Sequence, residues 1–380
     1  MNVKASPLSL CLLMMTAMFR SPCGFLLRPL REAAGRASRL QQGGAAQRSM
    51  LWFSAASGQN LKIAILDSYT TDRGELSWDP LKKFGSVTAY DRTPRDKIAE
   101  RAGDADVILT NKVAFDEESL KLVPKCKYIG KLATGYNDVD LAAAKEKGIA
   151  VTNVPGYSTA AVVQLVIAFM LDHLIDVHGH NQSVRKGEWA ECPDFCYDIL
   201  GSRGGIMELS GKTLCIVGTG NIGTRIKNVA EAFGMNVLCA QVPGRPASAD
   251  RVPLDEALSK ADFISLNCPL TAKTTGLAND EFFGKCKKTA VFINTGRGPL
   301  VDEASLVRAL DSGKIAAAYL DVLSTEPPAN GASLAAIEHP KVTVTPHVGW
   351  ASAEARVRLI DEVASNIEAW TKGVQRNRVA

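Results

Sequence analysis

From Leu61 onward the chain alternates short apolar runs with longer segments whose apolar residues recur at helical spacing. KIAIL (62–66), SVTAY (86–90), DVILT (106–110), YIGKL (128–132) and IAVTN (149–153) predict strands, and residues 96–102 and 140–147 predict helices between them. The alternation resumes after residue 212, with TLCIV (213–217), NVLCA (236–240), FISLN (263–267), AVFIN (290–294), AAAYLD (316–321) and VTVTP (342–346) as strands. Helical patterns lie between them at 254–259, 280–286 and 303–312. Alternation of this kind predicts an α/β protein with two doubly wound parallel-sheet domains, their faces covered by helices, flanking a cleft of the sort that holds small molecules. Between the two series, residues 157–184 read as one long helix crossing from domain to domain, with Ser158 or Thr159 as its cap. Residues 185–212 read as an irregular loop.

The stretch TLCIVGTGNIG (213–223) singles out the second series. Gly218, Gly220 and Gly223 stand in G-x-G-x-x-G spacing directly after a strand and directly before a helical pattern. The first glycine permits a tight turn, the second lets backbone approach a pyrophosphate, and the third lets helix and strand pack closely. Phosphates then sit on free N–H groups at the positive end of the helix. A glycine-rich turn in another α/β protein would look similar, but strand and helix in their required places favour dinucleotide binding. The expected division is therefore a Rossmann-type dinucleotide-binding domain over 160–345 and a flavodoxin-like substrate domain over 59–159 and 346–380, preceded by a disordered targeting segment over 1–58.

That first segment accounts for the net charge. Residues 1–60 hold seven basic groups and one acid, whereas the remainder holds 37 basic against 39 acidic groups. The folded body thus gives no electrostatic case for nucleic-acid binding. An Arg-, Ser- and Ala-rich, acid-poor leader is the composition of a cleaved organelle address, with a mitochondrion favoured and a plastid, by a bipartite signal, as the alternative. The apolar run at 8–19 is shorter than the about 20 residues a spanning helix needs, and no later stretch looks transmembrane, so no membrane partner is expected. Nine scattered cysteines without a C-x-x-C pair argue for a reducing compartment. Cys192 and Cys196 are a pair without further ligands, and His173, His178 and His180, at spacings of five and two, place no two one turn apart on a helix, so no metal is expected.

The position at the end of NVLCA tests the cofactor. An acid there bonds the ribose hydroxyls of NAD, whereas NADP sites lose it and place an arginine nearby. Here it is Gln241, no acid occurs between Glu231 and Asp250, and Arg245 follows, which points to NADP over NAD. Three polar residues each follow a strand of the second series on its carboxyl edge: Arg297 in NTGRGPLVDE, Glu326 in LDVLSTEPP and His347 in TPHVGWAS. Singly they read as a surface charge, a cap near prolines and a core histidine; together, beside a dinucleotide turn, they read as a site. ATGYNDVD (133–140) exposes backbone N–H groups at a strand end of the first series.

The three motifs, spaced 29 and 21 positions apart by Arg297, Glu326 and His347, resemble those of the D-isomer-specific 2-hydroxyacid dehydrogenases, over essentially everything from Leu61 to Trp370. ATGYNDVDLAAAKEKGIAVTNVPGYST, PDFCY and the His-Val-Gly-Trp run are most similar to glycerate dehydrogenase and hydroxypyruvate reductase members. The sequence departs from the pattern at Gln241, where many members carry an acid, and at Leu165, where many carry histidine. The resemblance implies hydride transfer between a nicotinamide cofactor and a small 2-oxo acid or D-2-hydroxy acid, with hydroxypyruvate or glyoxylate reduction favoured and D-lactate, phosphoglycerate or formate chemistry, or a dinucleotide-sensing binding protein, as alternatives.

The resemblance also implies roles. Arg297 holds the substrate carboxylate and polarises its carbonyl, His347 is the general acid, and Glu326 orients the imidazole. Thr134, Gly135 and Tyr136 bind the carboxylate, Lys112 assists, and Trp350 walls the pocket. Asn221 and Ile222 meet the pyrophosphate, Pro269 and Thr274 the adenosine half, and Thr295, Gly296, Asp321 and Gly349 the nicotinamide region. A homodimer is the family's usual assembly.

Overall fold

β-Branched and other apolar residues fill the runs that form the first sheet of this computed structural model, which describes residues 60–329 and 332–380. The expected targeting segment at 1–58 lies outside the described residues. The first sheet holds β1 (Leu61–Ile65), β2 (Gly85–Ala89), β3 (Val107–Thr110), β4 (Tyr128–Lys131) and β5 (Ala150–Thr152) in the order β2-β1-β3-β4-β5, each pair parallel. This is the flavodoxin-like order. Alternate side chains serve opposite cores: Ile63, Ile65, Val107 and Leu109 face one, and Ala64, Leu66, Ile108 and Ile129 the other. Helix α1 (Leu141–Glu146), capped by Asp140 accepting from the Ala143 N–H, lies on the latter face.

The helix expected over 157–184 is two helices. α2 (Thr159–Ile175) ends at Asp176, whose left-handed backbone (φ 45°, ψ 60°) turns the chain by 46° into α3 (Val177–Arg185). Aspartate tolerates that conformation, and its carboxylate accepts from the Gly179 N–H at 2.8 Å, so it closes one helix and caps the next. Ser158 stands at the start of α2 without a side-chain capping bond. Residues 185–212 likewise contain order that the sequence pattern lacks, a helical turn α4 (Glu188–Glu191) and a 3-10 turn at Gly201–Arg203. No single described helix is long and apolar enough to cross a membrane.

The second sheet is built from β6 (Thr213–Val217), β7 (Asn236–Ala240), β8 (Phe263–Leu266), β9 (Val291–Asn294), β10 (Ala317–Leu320) and β11 (Val342–Val344). They run in the order β11-β10-β9-β8-β6-β7, again parallel throughout. A single parallel bridge, Ala240 to Val252, stands where a third strand would lie beyond β7, completing the Rossmann arrangement in vestigial form. One face packs Cys215, Ile264, Phe292 and Phe283; the other packs Ile216, Phe263 and Ile293 against Val166, Phe169 and Met170 of α2 and Ile226 of α5 (Asn221–Ala232). α6 (Glu303–Asp311) follows β9.

After β11 the chain returns to the first sheet as α7 (Ala353–Thr371), capped by Ser352. Ala355, Leu359, Val363 and Ile367 of α7 complete the core that Ile63 and Leu109 begin. Beyond it an antiparallel bridge joins Arg378 to Thr152 on β5, the one departure from parallel pairing in the first sheet among the described residues.

Candidate active site

The three polar residues singled out after β9, β10 and β11 all lie at the carboxyl edge of the second sheet, where α/β sheets bind ligands. Nδ1 of His347 is 2.6 Å from Oε2 of Glu326, and the other Glu326 oxygen accepts from the Leu323 N–H at 3.0 Å. Both side chains are 28% exposed, buried enough to be oriented yet open to a substrate. Burial pushes the Glu326 carboxyl up, but the hydrogen bond and charge of His347, the Leu323 N–H and the Lys112 charge together hold it below its ordinary value. A carboxylate on Nδ1 leaves Nε2 of His347 as the nitrogen that exchanges a proton with a ligand.

The histidine sits in a left-handed conformation, φ 52°, which costs a residue with a Cβ about 1–2 kcal/mol. Asp321 sustains it. Its buried carboxylate accepts from the Val348 and Gly349 N–H groups, each at 2.8 Å, and from the Thr345 hydroxyl at 2.6 Å. Asp321 therefore holds the loop that presents His347, in addition to the nicotinamide-side place that resemblance gives it.

Arg297 is anchored to the same structure through its neighbour. Any side chain at Gly298 would collide with the carbonyl of Leu323, so the arginine loop and the glutamate loop touch backbone to backbone. The Asn294 side chain braces the turn by donating to the Arg297 carbonyl at 3.0 Å and accepting from the Gly296 N–H at 3.0 Å. Buried Glu303, at the start of α6, fixes the glutamate loop from below: it accepts from the Ser324 N–H and hydroxyl, both at 2.7 Å, and from the Ser333 hydroxyl.

The first sheet supplies the facing wall. A methyl group on Gly135 would strike the Arg297 guanidinium, which brings the Thr134–Gly135–Tyr136 turn against the arginine. The Thr134 hydroxyl is spent on the Val154 carbonyl at 2.9 Å, and Asn153 donates to the Thr134 carbonyl at 2.7 Å, so this turn offers backbone rather than hydroxyl. Lys112 is exposed and acts on Glu326 through its charge. Trp350 is half-buried, edge-on to Tyr157 at 6.4 Å, and packs on the first-sheet core.

On the cofactor side, Gly218 has φ 107° and a Cβ there would lie 2.6 Å from the Cys268 N, so this turn is open only to glycine. Asn221 and Ile222 begin α5 with free N–H groups at its positive end. The Thr295 hydroxyl is buried without a hydrogen-bond partner, a polar atom awaiting a ligand. These features fit a dinucleotide.

Other assignments look different in space. Thr274 is buried with its hydroxyl on the Pro269 carbonyl at 2.7 Å, shaping its own turn. Gln241 turns its amide into the following loop, donating to the carbonyls of Arg245 and Pro246 at 2.9 and 3.1 Å. Arg245 is exposed; it is Arg251, brought back by the Val252 bridge, that reaches the glycine loop, donating from Nη2 to the Thr219 hydroxyl at 2.9 Å. Its Nε is buried and unpartnered. Arg251 and Glu303 are residues bordering the site that sequence spacing misses. Among the described residues no group of three His, Cys, Asp or Glu converges as a metal centre requires, and the described cysteines are all free.

Comparison with known proteins agrees with this architecture. The family model described as "D-isomer specific 2-hydroxyacid dehydrogenase, NAD binding domain" matches residues 167–349. A hydroxypyruvate reductase of Blautia hydrogenotrophica is 41% identical over 326 residues, covering 84% of this chain and 99% of that protein. A glycerate dehydrogenase of Methylorubrum extorquens is 39% identical, covering 75% and 88%. Among solved structures, an NADPH-dependent glyoxylate/hydroxypyruvate reductase from Sinorhizobium meliloti in complex with NADP and malonate superposes with a TM-score of 0.70 at 26% identity, covering 85% of this chain and 97% of its own. With a histidine–glutamate pair and an arginine at the mouth of a nucleotide-binding sheet, and relatives matched almost end to end, the chain belongs to the D-isomer-specific 2-hydroxyacid dehydrogenases, nicotinamide-dependent oxidoreductases that interconvert 2-oxo acids and D-2-hydroxy acids.

Proposed function

We propose that the chain reduces hydroxypyruvate and glyoxylate, with NADPH as the preferred cofactor. The observation that carries the reaction is the 2.6 Å bond between His347 and Glu326, which makes the imidazole a proton donor beside Arg297. The nicotinamide, when bound, supplies the hydride. Arg297 would take the substrate carboxylate in a forked contact together with the N–H groups of the 134–136 turn and draw electron density from the carbonyl oxygen. His347 Nε2 gives that oxygen its proton, and Glu326 stabilises the imidazolium until then. A substrate carboxylate also explains why the wall facing Arg297 is bare peptide edge. The names of the relatives, hydroxypyruvate reductase, glycerate dehydrogenase and glyoxylate reductase, support the substrate class.

NADPH is favoured because no acid stands at Gln241 to repel a 2′-phosphate and because Arg251 carries an unpartnered Nε beside the glycine loop. Arg251→Ala is expected to raise KM for NADPH about tenfold or more, the worth of a charge-assisted bond, while leaving NADH unchanged; Arg245→Ala should leave KM for both nucleotides unchanged. The deciding experiment is a panel of 2-oxo acids with each nucleotide, followed at 340 nm. Formate oxidation needs no proton relay and leaves Glu326 without a task, and absence of any turnover would favour a dinucleotide-sensing protein.

Val177, Trp189, Phe195 and Ile206 expose apolar side chains over α3, α4 and the loop beyond, which supports a homodimer formed through this region. Light scattering at micromolar concentration tests it. The composition of residues 1–60 supports delivery to an organelle, a mitochondrion before a plastid, and fusing that segment to a fluorescent protein tests it.

A further inference from the structure

Lys131, the last residue of β4, has a side chain with no solvent exposure. Its ammonium donates to the Asn111 carbonyl and to Oδ2 of Asp138, each at 2.6 Å. Asn111 lies on the loop after β3 and Asp138 on the loop after β4, the two loops that carry Lys112 and the 134–136 turn. Asp67, after β1, grips the first of these loops from the other side, accepting from the N–H groups of Asn111 at 2.8 Å, Val113 at 3.3 Å and Lys112. The amide N–H and the carbonyl of Asn111 are thus held by opposite charges, Asp67 and Lys131.

Packing alone does not account for a lysine here. Burying an ammonium is costly unless its partners repay the lost hydration, and an apolar chain of the same length would hold a strand end more cheaply. Burial pushes the Lys131 ammonium toward deprotonation, Asp138 and Asp67 oppose that, and Lys112 adds to it. What the charge supplies is a side-chain tie at the start of two loops whose backbones pair again only further along, at the parallel bridge of Phe115 with Val139.

We propose that Lys131 is a positioning residue for the oxidoreductase reaction: by tying Asn111 to Asp138, it sets the 134–136 turn against Arg297. It touches neither substrate nor nucleotide, so its effect falls on the capture of the 2-oxo acid. This inference rests on the reading of the cleft as a 2-oxo acid site.

The test uses the full chain and whichever 2-oxo acid the wild type turns over best. Lys131→Met and Asp138→Asn are compared with wild type for KM and kcat at saturating NADPH, and for NADPH affinity by fluorescence. The expected result is a rise of about tenfold or more in KM, since small misplacements of a positioning wall are costly. The change in kcat should be under about threefold and nucleotide affinity unchanged, with Lys131→Arg recovering part of the loss. Unchanged KM in both variants, or a parallel loss of NADPH affinity, overturns the proposal; if Lys131→Met does not fold, Asp138→Asn decides alone. A wild type that turns over no 2-oxo acid instead overturns the reading of the cleft, and the brace with it.

Discussion

In the mechanism proposed above, proton delivery falls to a histidine in a backbone conformation that it would not choose alone, φ 52° held by Asp321 below and Glu326 beside it. Replacing His347 by Ala is expected to lower kcat about 100-fold or more, the usual worth of general acid catalysis, with nucleotide affinity unchanged. Glu326→Gln keeps a hydrogen-bond acceptor at Nδ1 but removes the carboxylate charge beside the proton donor, so kcat for 2-oxo acid reduction is expected to fall while nucleotide affinity holds. The same carboxylate links to stability. Its folded pKa is lowered, so its contribution is present above the ordinary carboxylate range and is lost as pH falls through the lowered value. Because both partners are partly exposed the contribution is small, and the gap in Tm between wild type and Glu326→Gln should close at acid pH. Arg297, Glu326 and His347 were legible in sequence because each directly follows an apolar run. Arg251 was not, since only the one-residue bridge at Val252 returns it to the glycine loop, and spacing along the chain points to Arg245 instead.

Between elements, the closest approach in the site is Gly298 against the Leu323 carbonyl. Gly298→Ala must push the arginine and glutamate loops apart, and overpacking of this kind costs about 1–3 kcal/mol. Both Tm and kcat are expected to fall, in contrast to His347→Ala, which should leave Tm near wild type. Strands of both sheets were readable because short apolar runs, buried on both faces, alternate with segments of helical apolar spacing, whereas α7 was not among the helices that spacing predicted. The division of α2 from α3 was not, because Asp176 sits in a run whose apolar spacing continues across it, and only backbone torsion marks the break. Glu303 escaped for a related reason: NTGRGPLVDE reads as a loop entering a helix, and nothing local says that its last residue folds under Ser324 and Ser333.

At the scale of the molecule, each sheet owns its own core. Phe283 is fully buried, with ring centres 5.4 Å from Phe282 and 5.3 Å from Phe292. Phe283→Ala should cost about 3–5 kcal/mol and lower Tm about 2–4 °C per kcal/mol, read by calorimetry. The groups of the candidate site, by contrast, belong to no single core: Arg297 and Glu326 stand on the second sheet, the 134–136 turn on the first, and His347 on the stretch of chain that passes from one to the other. That passage has a consequence for how the protein is born. The first sheet lacks Ala355, Leu359, Val363 and Ile367 until α7 exists, so one of its two cores stays open until the last of the chain is made, while the second sheet is already closed. A chain truncated at residue 352 and freed from the ribosome should therefore be cut by protease in the first sheet before the second.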